Sequence, residues 1–281
     1  MSKIMITCDS TADLTKELYA KYEAAVVPMG VNLGDDFRRD GLNITISDIF
    51  DYVAASGQLP KTSAVSVGEY DDVFRPLVEQ GYEVVHVSLS SSLSSSHQNA
   101  RLAAEELGNV YVVDSKNLST GIGHLVLLGR ELAASGMTAA EVAAALEQLR
   151  EKLDVSFVLQ TLEYLHKGGR CSGVAAFGAN LMKLRPEIEV VDGKMQVGRK
   201  YRGNMEKTVL AYIRGRLEGR EDIRLDRIFI THSGCPQEIV EKAEALVREL
   251  HPFQEVIVTT AGSTITSHCG PDCLGVLFLK K

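Results

Sequence analysis

Four clusters of polar residues in this 281-residue chain have the types and spacing to do chemistry. Cys8-Asp9-Ser10-Thr11 follows a short apolar run, and Lys61-Thr62-Ser63 is expected to fill the loop after a helix. Serines stand at 88, 90, 91, 92, 94, 95 and 96, overlapping and following the run EVVHVSL. His268-Cys269-Gly270-Pro271 precedes the last apolar run. Hydroxyls are neutral donors, suited to a carboxylate or a phosphate. Ser94, Ser95 and Ser96 open the amphipathic pattern HQNARLAAEEL. There the free N–H groups of a helix's first turn, and its dipole, favour an anion. A flexible linker is the plainer reading of the tract, but linkers rarely join an apolar strand straight to an amphipathic helix.

A nucleophile and a base can also be drawn from these clusters. Ser94 with His268, the imidazole oriented by Asp9 or Asp114, would make a serine hydrolase or acyl transferase. The Gly-x-Ser-x-Gly elbow is absent, and a lone histidine is more often structural than catalytic. Gly168-Gly169-Arg170 is a helix end that can present Arg170 to an anion, with a solvated surface cation as the simpler alternative. Cys8, Cys171, Cys235, Cys269 and Cys273 are dispersed and odd in number, unlike a disulfide framework. His232…Cys235 and His268-Cys269…Cys273 fall short of four converging zinc ligands. The expectation is therefore buried free thiols and no metal. Neither Gly-x-Gly-x-x-Gly nor a P-loop occurs, which weighs against nicotinamide and ATP.

Positioning these clusters falls to alternating strands and helices. Apolar runs predict strands at 3–8, 24–33 (an edge or a break at Pro28), 83–89 and 109–114. Helices are predicted after a Thr15 cap, from Ser47 to about Ala55, over 69–80 with a bend at Pro76, and from His97 to Gly108. Two more run over 119–134 and 138–152, the second with Thr138 and Glu141 in capping-box positions. This alternation predicts a mostly parallel sheet flanked by helices, as a first domain over 1–153. Residues 154–281 have another rhythm: a strand at 154–160, a short helix LEYLHKGG, and a hairpin over 186–202 turning at Asp192-Gly193. Helix MEKTVLAYIRGRL, strand DRIFITH, helix QEIVEKAEALVREL and strands EVIVTT and LGVLFL follow. The fold class is thus α/β in two domains, the second with a mixed sheet, with chemistry in a cleft beyond strand ends.

Composition bounds the function. Lys+Arg 30 against Asp+Glu 37 gives a net charge of −7, with 45% hydrophobic and 6% aromatic residues and no Trp. A mildly acidic chain without a basic cluster or stacking platform is a poor partner for nucleic acid. No apolar run approaches the roughly 18 residues of a membrane span, so stable membrane insertion is not expected. The N-terminus MSKIMITCDS runs directly into a strand, which predicts a cytoplasmic protein.

Six stretches in order are similar to those of the DegV family of fatty-acid-binding proteins, which includes the binding subunits of bacterial fatty acid kinase. They are ITCDSTADL (6–14), PKTSAVS (60–66), SLSSSLSSSHQNA (88–100), VVDSKNLSTGIG (112–123), LEYLHKGGRCSG (162–173) and GSTITSHCGPDCLGVLFL (262–279). The resemblance implies a long-chain, palmitate-like fatty acid in a tunnel between two α/β domains, and no catalytic centre or cofactor. It maps the carboxylate-binding residues onto Thr62, Ser94 and His268, with Ser63 and Ser95 beside them. It further implies presentation of the carboxylate to a separate ATP-binding kinase subunit, with Arg170, Arg199 and Arg202 facing that partner or its phosphate. Four positions depart from the family pattern: Ser95 replaces a glycine, His97 an aromatic, Val65 a proline and Cys171 an aliphatic. Val65 is expected to loosen the loop that carries Thr62.

Overall fold

The computed structural model describes residues 3–171 and 185–281, so Ser172 and Gly173, which end one of the quoted stretches, lie outside the described residues. In chain order the first half runs β1 (Lys3–Asp9), α1 (Lys16–Lys21), β2 (Ala25–Val27), β3 (Gly30–Leu33), β4 (Asp36–Arg39), α2 (Ile46–Ser56) and β5 (Lys61–Ser63). It continues through α3 (Val67–Glu79), β6 (Tyr82–Ser88), α4 (Ser96–Leu107), β7 (Val110–Asp114), α5 (Thr120–Ala134) and α6 (Ala139–Leu149). The second half runs β8 (Leu153–Val158), α7 (Glu163–Gly168), β9 (Arg185–Val191), β10 (Lys194–Tyr201), α8 (Met205–Leu217) and β11 (Ile223–Ser233). It ends with α9 (Gln237–Leu250), β12 (Glu255–Thr260), α10 (Ser263–Cys269) and β13 (Cys273–Lys280).

Strands β2-β1-β6-β7 form a wholly parallel sheet, as the alternation predicts. The second sheet, β10-β9-β8-β13-β11-β12, is mixed: β11 and β12 are parallel and its other pairs antiparallel. The change of sheet falls between α6 and β8, and the hairpin turns at Asp192 and Gly193, both with positive φ (47° and 78°). Pro28 does break the second apolar run, dividing it into β2 and β3. The capping box at Thr138 and Glu141 forms, but α2 starts from Thr45 rather than Ser47, because Thr45 and Asp48 exchange the capping hydrogen bonds.

Two elements correct the sequence reading, and both matter for the site. Lys61-Thr62-Ser63 is not a loop but β5, paired with β3 in a third, antiparallel sheet, β4-β3-β5. Residues 263–269, to which the sequence reading assigned no helix or strand, form α10.

Helix α5 is buried on all sides from Thr120 to Gly129, the mark of a helix packed between layers. One continuous apolar cluster joins Ile6, Val84 and Val87 of the parallel sheet, Ile122 and Leu125 of α5, and Phe157 and Leu277 of the mixed sheet. Each such side chain contributes on the order of 1.5–3 kcal/mol on burial. The seam is therefore filled over most of its area, and a hollow remains near the strand ends.

Candidate functional site

Thr62 and His268, 206 residues apart in sequence, meet: Thr62 Oγ1 lies 2.8 Å from His268 Nε2. Thr62 is held by β5 opposite Val31 of β3. His268 is held by α10, which packs against α7. A Cβ added at Gly168 would stand 2.6 Å from His268 Nδ1, so glycine there lets the ring lie against the backbone. His268 Nδ1 has no hydrogen-bond partner. Burial, reinforced by the charge of Arg170, pushes the imidazole down to about 4, so the ring is neutral at physiological pH.

The serine loop is pinned at several points. The Leu89 N–H donates to Asp9 Oδ2 (2.7 Å), Ser90 Oγ to the Gly193 carbonyl (2.8 Å) and Ser91 Oγ to Asp114 Oδ2 (2.5 Å). Ser94 Oγ lies 3.0 Å from Ser96 Oγ and accepts from the Ser96 N–H (3.2 Å). Val65 does not loosen the neighbouring loop. Its N–H, which a proline would lack, donates to Ser96 Oγ (3.2 Å), its carbonyl accepts from Asn99 Nδ2 (2.7 Å), and its side chain is fully buried. The Thr62 strand and the Ser94 loop are thus tied through Val65.

These residues border a cavity of about 430 Å³, within the usual range of roughly 300–1,000 Å³ for small-molecule sites. Thr62, Ser94, Ser95, His268 and Arg170 form its polar part, and Met29, Leu89, Leu118, Met195 and Ile265 stand among its apolar wall. A second void of about 20 Å³ continues from it, sharing Leu118, Ile265 and Cys269 and reaching Phe157 and Leu277. A second recess of about 340 Å³ also borders the Thr62–His268 pair and is lined by three cations, Lys61, Lys167 and Arg170, of which Lys167 pairs with Glu163 (2.7 Å); among the described residues no carboxylate lines it.

Ser63 lies on β5 outside the cavity lining, partly buried. Arg199 and Arg202 are exposed at the end of β10 and do not border the cavity; Arg199 Nη1 donates to the Gly215 carbonyl (3.3 Å). The hydrolase arrangement is not assembled. Among the described residues Ser94 bonds Ser96, and His268 bonds Thr62. Asp9 is engaged by Tyr70 and Leu89, and Asp114 by Ser91 and Lys116, so neither orients the imidazole. Among the described residues no group of three or more His, Cys, Asp or Glu could hold a metal ion, and no helix is long and apolar enough to cross a membrane. All five cysteines are buried, and Cys171 Sγ donates to the Met195 carbonyl (3.5 Å).

Sequence reasoning missed which residues form the apolar wall, since Met29, Leu89, Leu118, Met195 and Ile265 come from five separate segments, and it missed the buried Asp13 and Asp40. The stretch ITCDSTADL was the available signal, since Asp13 accepts from the Gly262 N–H that precedes α10 and Ser10 donates to Asp40.

The fold and site define a class: a three-sheet α/β protein with a cavity lined by apolar side chains together with hydroxyls and a neutral imidazole. The chain belongs to the DegV family, described as uncharacterised proteins, whose profile matches residues 3–281. It is similar in structure to a DegV family protein from Thermus thermophilus described as fatty acid binding, with TM-score 0.88 and 34% identity over 99% of this chain and 100% of that one. A DegV lipid-binding protein from Thermotoga maritima matches with TM-score 0.85 and 29% identity over 99% and 98%. The fatty acid kinase B3 protein of Streptococcus pneumoniae, loaded with linoleic acid, shares the fold at TM-score 0.84 and 20% identity, over 99% and 100%.

Proposed function

We propose that this protein binds a long-chain fatty acid and presents its carboxylate to an ATP-dependent kinase subunit in the cytoplasm. Thr62, Ser94 and His268 hold the carboxylate, with Ser95 as a further donor, and the tail lies along Leu118 and Ile265. Residues 1–153 and 154–281 act as the two domains that flank the ligand. The observation that carries this reading is the cavity itself, which joins a hydroxyl–imidazole end to an apolar remainder. Fatty acid binding by the Thermus thermophilus relative supports the ligand class.

The energetics favour this division of labour. Burying about fourteen methylenes is worth on the order of 11 kcal/mol as an upper limit, whereas a carboxylate gains little beyond being satisfied. We assign the His268 proton to Nε2, because an orphaned acceptor at buried Nδ1 is tolerated better than an orphaned donor. Nε2–H then donates to Thr62 Oγ1, which leaves the threonine O–H free to donate to the carboxylate. His268 works through Thr62 as well as beside it. The recess lined by Lys61, Lys167 and Arg170 borders the same pair and suits an incoming phosphoryl group.

Protein expressed in bacteria is expected to carry a fatty acid, released on denaturation and weighed by mass spectrometry. The double variant Thr62→Ala, Ser94→Ala should lose most of it, and full occupancy in that variant would contradict the carboxylate assignment. Exchanging Lys61 and Lys167, which border the recess and not the cavity, for alanine should leave occupancy intact while lowering acyl phosphate formation with a kinase subunit at least about tenfold. Unchanged turnover would remove the recess from the reaction.

A further inference from the structure

We propose that Asp40, together with Asp13, is the positioning pair of this site: their carboxyl groups grip the first turn of α10 across the seam and so set where His268 and Ile265 stand in the cavity. The inference rests on the function proposed above for its ligand, but not for its geometry.

Helix α10 has seven residues, STITSHC, and no capping side chain of its own. Its sequence is poor in strong helix formers, so its position depends on tertiary partners. The amides at its start, of Gly262, Ser263 and Thr264, would otherwise be orphaned. Asp13 Oδ1 accepts from the Gly262 N–H (2.8 Å), Asp40 Oδ1 from Ser263 (2.8 Å) and Asp40 Oδ2 from Thr264 (3.3 Å). These bonds join residues 223 to 249 positions apart. The other oxygens are engaged as well: Asp40 Oδ2 accepts from Ser10 Oγ (3.0 Å) and Asp13 Oδ2 from Ser119 Oγ (2.5 Å).

Both side chains are buried, Asp13 at 5% and Asp40 at 3% exposure, and among the described residues no ion pair reaches either. Carboxyl groups buried without a cation are costly unless hydrogen bonds satisfy them, and here the donors are the helix amides. Gly262 gives them room: a Cβ there would stand 3.0 Å from Asp13 Oδ1 and 3.1 Å from Asp40 Oδ1. His268 follows Thr264 by four residues on the same helical face, so a shift of the first turn displaces the imidazole from Thr62.

The two asparagine variants separate the roles. Asn at 13 keeps an oxygen for the Gly262 amide and can donate to Ser119, so Asp13→Asn should move the His268 signal less than Asp40→Asn does. Asp40 accepts three hydrogen bonds and donates none, so in Asp40→Asn a side-chain NH₂ must face the Thr264 amide or Ser10. Nitrogen-edited NMR of the histidine side chains reads the result in ligand-free protein. In Asp40→Asn the His268 titration should move toward that of an ordinary histidine while the core His124 stays unchanged, and affinity for cis-parinaric acid should fall about tenfold or more. An unmoved His268 signal in Asp40→Asn overturns the proposal. If His124 moves too, the core has been lost, and Gly262→Ala, which crowds the same two carboxyl groups, is read by the same two signals. Failure of the wild type to bind cis-parinaric acid would contradict the fatty-acid reading, and the His268 signal would still decide the positioning role.

Discussion

His268 and His124 are both neutral in the fold, each with its imidazole pushed down to about 4, chiefly by burial. In the unfolded chain a histidine takes up its proton near pH 6.5. The depressed values make their contribution to stability complete above about pH 6.5 and progressively lost as pH falls to about 4. For the fully buried His124, whose Nε2 reaches the Leu277 carbonyl at 3.0 Å, this loss is on the order of 3 kcal/mol. Because Asp13 opposes this trend, the histidine contribution is read by difference: between pH 7 and pH 4 the urea midpoint of the wild type should fall relative to that of His124→Gln. Identical pH dependence in the two proteins would contradict the neutral assignment of His124. Asp13 works in the opposite sense: burial raises its carboxyl to about 8, so its contribution diminishes as pH rises from the ordinary carboxylate range toward 8.

At the scale of elements, α10 is the piece on which the cavity turns, since Thr264, Ile265, His268 and Cys269 all border it. Ile265 separates the main cavity from the inner void, which at about 20 Å³ holds little more than one water. Ile265→Ala should open that passage and shift preference toward longer acyl chains, measured by the chain-length profile of co-purified fatty acids. An unchanged profile would place the tail elsewhere. The long periodic elements around α10 were legible in the sequence. Alternation gave the parallel sheet, Asp192-Gly193 gave the hairpin, and Thr138 with Glu141 gave the start of α6. The elements that carry Thr62 and His268 were not. Strand β5 has three residues and takes its conformation from pairing with β3. Helix α10 has Ser and Thr where strong helix formers would stand, and its caps come from Asp13 and Asp40 at the other end of the chain. Local propensity carries no signal of partners more than 200 residues away. The family resemblance supplied the candidate residues Thr62, Ser94 and His268; the hydrogen bond between Thr62 and His268 came from the tertiary fold.

Over the whole molecule, the two sheets meet through α5 and a shared apolar cluster, so the cavity is a gap left in an otherwise packed seam. Its walls are fastened from both halves. Ser90 Oγ donates to the Gly193 carbonyl at the tip of the β9–β10 hairpin, Lys116 pairs with Asp192 beside it (2.7 Å), and the Asp13–Asp40 grip closes the opposite side. Such a frame keeps the site preformed, which limits the ordering cost of binding a flexible chain. A crystal structure of the protein with palmitate tests the central claim most directly. The account predicts a carboxylate within hydrogen-bond distance of Thr62 Oγ1 and Ser94 Oγ, with the tail running past Leu118 and Ile265. A palmitate bound elsewhere, or seated with its carboxylate at the apolar end of the cavity, would contradict it.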